Sequence, residues 1–97
     1  MSEVVQKFGD TRPVAWKTNY SLLNSTVVLK VIGPGGTVDT TGDVTITDAW
    51  GGIVEWDHGG TLAIGSYSVE LWITREGETI KAPSSGTAAL IITPSLT

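Results

Sequence analysis

Val, Ile and Thr supply 32 of the 97 residues, and twelve Gly and four Pro interrupt them so often that the longest stretch free of both is residues 14–32. Branching at Cβ stiffens χ1 and suits a pleated strand better than a helix. Gly and Pro at this density break a helix within a few turns. Runs of Ala, Leu, Glu and Lys, which would argue for helix, are missing. The chain is therefore expected to be all-β.

A chain of this length fits one domain over residues 1–97, with a core that buries roughly 60–70% of the unfolded surface. Without Cys there is no disulfide and no thiolate metal site, and a hydrophobic fraction of 40% permits a core that holds by itself. The net charge is −4 and no two basic residues are adjacent. Phosphate backbones attract basic stripes, so nucleic acid is not an expected partner. The longest apolar run, residues 88–92, is far below the ~20 residues that cross a bilayer, so no membrane is expected. Residues 1–7 lack the apolar segment of a secretory signal, which predicts a soluble product made in a cytoplasm.

Alternation with period two places the strands. In residues 26–32, Val27, Leu29 and Val31 share one face, with Val28 and Lys30 opposite. Val44 and Ile46 alternate with Thr45 and Thr47, and in residues 52–57 Val54 and Trp56 oppose Ile53, Glu55 and Asp57. The longest candidate, residues 66–76, turns Tyr67, Val69, Leu71 and Ile73 inward and Ser68, Glu70, Trp72 and Thr74 outward. Residues 87–93 put Ala88, Leu90 and Ile92 opposite Thr87, Ala89, Ile91 and Thr93. Shorter strands are expected at 3–8, 14–18 and 79–82.

Turn chemistry separates these runs. Gly33-Pro34-Gly35-Gly36 suits a tight reversal, Asp48-Ala49-Trp50-Gly51-Gly52 a hairpin loop, and Arg75-Glu76-Gly77-Glu78 a short turn. Seven to eight short strands at this spacing predict a two-sheet antiparallel β-sandwich, Ig-like in architecture, with residues 1–7 and 94–97 as terminal arms. Stacked sheets would also cover Ile91 and Trp72, which an open sheet leaves wet. Gly65-Ser66-Tyr67 resembles a tyrosine corner, in which the phenol packs inside and its hydroxyl bonds nearby backbone. The expected core contains Leu29, Val54, Trp56, Tyr67, Val69, Leu71 and Leu90.

No constellation for catalysis emerges. The single imidazole, His58, lies in Asp57-His58-Gly59-Gly60, and strand neighbours point to opposite faces, so Asp57 does not orient it as a base. It reads as a solvated loop histidine. Asp48, Asp57 and His58 lack metal-ligand spacing, and no calcium-loop pattern is present. Glu55, Asp57, Glu70, Glu76 and Glu78 read as a solvated surface rather than an acid–base pair. Gly33-Pro34-Gly35-Gly36-Thr37 has no Lys and no following helix, so it is a turn and not a phosphate loop. Neither an enzyme nor a cofactor is expected.

Four tryptophans remain. Trp56 belongs to a core face, and Trp16 fits either sheet. Trp50 sits at a loop tip and Trp72 on the outer face of the long strand. Aromatic rings in such places are enriched at protein contacts. The candidate partner-binding residues are Trp50, Trp72, Glu70 and Ile91.

Several strings together carry a resemblance: Gly9-Asp10-Thr11, the run from Leu22 to Val31, Gly52-Ile53-Val54-Glu55-Trp56, Gly65-Ser66-Tyr67-Ser68-Val69-Glu70-Leu71, and Pro83-Ser84-Ser85-Gly86. In this order and spacing the chain resembles, from about Phe8 to Pro94, the Ig-like sandwich module of bacteriophage tails, as in the N-terminal domain of baseplate upper proteins. The resemblance implies a virion protein of the tail or baseplate, assembled in the bacterial host cytoplasm, that binds other virion proteins in multiple copies without catalysis. Two other readings stay open. One is a decoration or cement protein of the phage capsid. The other is a carbohydrate-binding module that stacks a host-surface glycan on Trp50 and Trp72, with Glu55, Asp57 or Glu70 as polar partners.

Overall fold

The computed structural model describes residues 3–83 and 88–95, and among these the chain forms nine strands and no helix. They are β1 (Glu3–Lys7), β2 (Val14–Lys17), β3 (Thr26–Gly33), β4 (Gly36–Val38), β5 (Val44–Asp48), β6 (Ile53–Trp56), β7 (Gly65–Arg75), β8 (Glu78–Ala82) and β9 (Ala88–Thr93). Two sheets result. The larger runs β1-β9-β7-β3-β4 with β8 also paired to β7, and the smaller runs β2-β6-β5.

β7 is the spine of the larger sheet. Of its eleven residues, those from Ser68 to Thr74 pair antiparallel with β3 along one edge, while β9 takes the first half of the other edge and β8 the second half. The β7–β8 hairpin closes through Glu76 and Gly77, both at positive φ (53° and 81°). That backbone twist matches the flanking strands, and Gly takes one of the two positions at no steric cost.

The alternation read from the sequence becomes the core. Val14, Trp16, Val54 and Trp56 from the smaller sheet meet Leu29, Val31, Val69, Leu71 and Leu90 from the larger in one buried cluster. All seven expected core residues are at most 4% exposed. Burying side chains of this size contributes about 1.5–3 kcal/mol each, which replaces the missing disulfide as the source of stability. Tyr67 sits at the corner where β7 begins. Its ring lies over Gly33, where an added methyl would overlap it, and its hydroxyl donates to the Ala63 carbonyl at 2.7 Å.

Four expectations need correction. The strand count is nine, because β4 is only three residues long and a period-two pattern cannot register in so short a run. The larger sheet is not wholly antiparallel: β1 lies parallel to β9, in register from Glu3↔Ala89 to Lys7↔Thr93. Residues 3–7 are therefore a sheet strand rather than a free arm, whereas Pro94 and Ser95 carry no strand. Finally, the smaller sheet covers only the inner face of the larger one. Trp72 and Ile91 remain on the outer face, half-buried by their neighbours. Residues 84–87, which include the Ser84-Ser85-Gly86 string, lie outside the described residues, as do 1–2 and 96–97.

Candidate functional site

Among the described residues Trp50 is the most exposed large apolar side chain, at 79%, and the loop beneath it is fixed. The Asp48 carboxylate accepts the Gly51 N–H at 2.9 Å, as Asp does in turns. The Ala49 carbonyl accepts the Leu22 N–H at 2.8 Å, and the Gly52 carbonyl accepts the Thr18 N–H at 2.8 Å. Leu22 is itself in the core. The β5–β6 tip is thereby tied to the β2–β3 connection on both sides of the tryptophan. An aromatic ring is held out into solvent on an anchored support, which limits the ordering cost of binding.

Trp72 is placed differently. It points away from the core between Val28 of β3 and Lys81 of β8. The ammonium groups of Lys81 and Lys30 approach its ring centroid at 4.1 and 4.8 Å, and its indole N–H donates to the Glu70 carboxylate. Attraction of cations to the ring face and a charged acceptor on the N–H hold the indole in one orientation. Lys30, Ile32, Thr37, Ser68, Glu70 and Trp72 line a shallow groove of about 340 Å³ beside it. Ile91 stands farther across the same outer face, between Ser66 of β7 and Val5 of β1.

The four candidate residues thus do not form one cluster. Glu70, Trp72 and Ile91 share the outer face of the larger sheet, while Trp50 projects from a hairpin of the smaller one. Glu55 faces outward on β6 and Asp57 follows that strand, and neither is brought beside Trp72. Val5, Val28 and Ile32, exposed at 56%, 48% and 60%, extend the apolar character of the outer face. Alternation in β3 already placed Val28 opposite the core face; what it missed were the two lysines over Trp72, which depend on strand register.

His58 overturns its sequence reading. It is 7% exposed, with Nε2 2.7 Å from the Gln6 side-chain oxygen and its ring edge-on to Trp56 at 5.3 Å. Nδ1 accepts the Gly60 N–H at 3.1 Å, which leaves the proton on Nε2 to donate to Gln6. Gln6 in turn donates to the Arg12 carbonyl at 3.0 Å. This chain of bonds locks β1 to the β1–β2 and β6–β7 connections. Burial pushes the imidazole below its usual value, against the pull of Asp57 and Asp10. Close by, hydrogen bonds from the Arg12 side chain and backbone bring Asp10 down to about 2. With Nδ1 held by the Gly60 N–H and Nε2 by the Gln6 side chain, the imidazole acts as a strut between two connections of the fold.

Among the described residues, no group of three or more His, Asp or Glu side chains converges as a cation would require. Comparison of the chain with protein-family models, with curated proteins and with solved structures finds no match.

Proposed function

We propose that the chain is a non-catalytic structural or attachment module of a bacteriophage virion, an Ig-like β-sandwich that joins larger tail or baseplate proteins by surface contacts. The observation that carries the contact function is Trp50: a 79% exposed indole on a loop whose backbone is pinned at Ala49 and Gly52. Exposed aromatics on rigid supports are efficient anchors, because a partner gains a large buried area at small entropic cost. The virion setting comes from the sequence strings that resemble the phage module, and the Tyr67–Ala63 corner is in keeping with the Ig-like architecture.

The test is antibody labelling of purified phage particles produced by the host that carries this coding sequence, with the Trp50→Ser variant alongside. Label on the tail, reduced by Trp50→Ser without loss of folding, is the expected result. Label on the head would move the module to capsid decoration. Absence from particles, with retention of Trp50-dependent binding to a polysaccharide, would overturn the virion reading in favour of a carbohydrate-binding module.

A further inference from the structure

β1 ends the larger sheet, and among the described residues no strand pairs with its outer edge. Its backbone polarity follows from one bond. The Phe8 N–H donates to the Thr93 carbonyl of β9 at 2.8 Å. Backbone groups alternate sides along a strand, so Val4 and Gln6 also face β9, while the N–H and C=O groups of Glu3, Val5 and Lys7 face the open edge. The Lys7 carbonyl is taken by the Asp10 N–H at 3.0 Å, and that turn ends the strand. What remains is a short, proline-free edge with Val5 56% exposed at its centre.

The order Glu3-Val4-Val5-Gln6-Lys7 is self-complementary about Val5. If a second β1 is laid antiparallel with Val5 opposite Val5, Glu3 of each copy stands opposite Lys7 of the other. Both Val5 residues then exchange N–H···O=C bonds, and each Lys7 N–H meets the Glu3 carbonyl of its partner. The two exposed Val5 side chains cover one another on the outer face. Opposite charges directly across an antiparallel pair stabilise the register, whereas a shift by two residues would set Val5 against a charge. A lysine or glutamate on an edge usually discourages strand addition; here the two are spaced to satisfy each other.

We propose that the partner fitted by the β1 edge is a second copy of this chain, paired antiparallel about Val5 to make one continuous sheet across a two-fold axis. A symmetric interface of this kind is isologous, each copy offering the same residues. The assignment does not depend on the virion reading, since it concerns self-association and not Trp50.

The test combines sedimentation equilibrium with amide hydrogen exchange over a concentration series. The parent protein should approach twice its 10.2 kDa mass as concentration rises. The Val5 and Lys7 amides should become protected over the same range, while Gln6, already bonded to β9, should not change. Glu3→Lys and Lys7→Glu should each weaken association at least about tenfold, and the double variant should regain parental affinity to within about threefold. The regain separates pairing from damage to folding. A parent that stays monomeric, association without concentration-dependent protection at Val5, or a double variant no better than the singles would each overturn the proposal.

Discussion

The imidazole of His58 donates to the side-chain oxygen of Gln6 at 2.7 Å, across 52 positions of sequence. Gln6 is on the edge strand β1, which is held to the rest of the fold by its parallel pairing with β9, by Val4 against the core and by this bond network. Removing either partner leaves a buried polar group unsatisfied, at a cost of about 1–3 kcal/mol. His58→Ala and Gln6→Ala should each lower stability by that amount. The double variant should cost less than the two singles together, because the second change removes a group already orphaned. Denaturant midpoints of the four proteins measure this; strict additivity would show that the contact carries no coupling.

The same histidine sets a pH dependence. Burial holds its folded pKa below the ordinary 6.5, so the folded state prefers the neutral ring. Above that value both states are neutral and the full stability is present. As pH falls below about 6.5, the unfolded chain takes up a proton that the folded chain resists. Stability should therefore decline with acidification until the folded pKa is reached, and then level off. Asp10, held at about 2 by Arg12, contributes its own loss only at much lower pH. His58→Gln should flatten the slope between pH 7 and 5, and an unchanged slope in urea titrations would assign the effect elsewhere.

Tyr67 and Gly33 form a second long-range contact. The phenol donates to the Ala63 carbonyl at 2.7 Å, and the ring occupies the space that a side chain at position 33 would take. Tyr67→Phe should cost about 0.5–1.5 kcal/mol, the net value of one hydrogen bond. Gly33→Ala should cost about 1–3 kcal/mol, because the ring must move within a packed corner. In the Tyr67→Ala background the Gly33→Ala penalty should largely vanish. Melting temperatures of these variants check it; an undiminished penalty would point to the Gly33 backbone instead of the ring.

Period two was enough to find the faces. Val54 and Trp56, or Tyr67, Val69 and Leu71, alternate with polar residues, and all five are buried where that pattern puts them. Turn residues located the hairpins at Gly33–Gly36 and Glu76–Gly77 for the same local reason. Contacts between distant segments leave no such mark. Nothing near His58 encodes that Gln6 arrives from β1, and β1 itself carries only one core-facing hydrophobic residue, Val4. Its alternation is too weak to distinguish a docked strand from an arm. The lysines over Trp72 come from β3 and β8, so their convergence follows from register, which a single strand's sequence does not specify.

Trp50 and Trp72, equivalent in the sequence as outward-facing aromatics, should behave differently on substitution. Trp50 is 79% exposed, and its support, two backbone bonds and the Asp48 carboxylate, does not involve its ring. Trp50→Ser should leave stability within about 0.5 kcal/mol of the parent, as surface changes away from special features do. Trp72 joins three strands of the larger sheet through Lys30, Lys81 and Glu70. Its loss removes two cation–aromatic contacts and one charged hydrogen bond, together worth about 1–3 kcal/mol at a half-buried site. Trp72→Ser should therefore lower the melting temperature while Trp50→Ser does not. In a binding assay with a purified partner the order should reverse, because the Trp72 ring is already engaged within the fold whereas the Trp50 ring is open. A Trp72→Ser variant that melts like the parent but loses binding would move the contact surface from the β5–β6 tip to the outer face of the larger sheet.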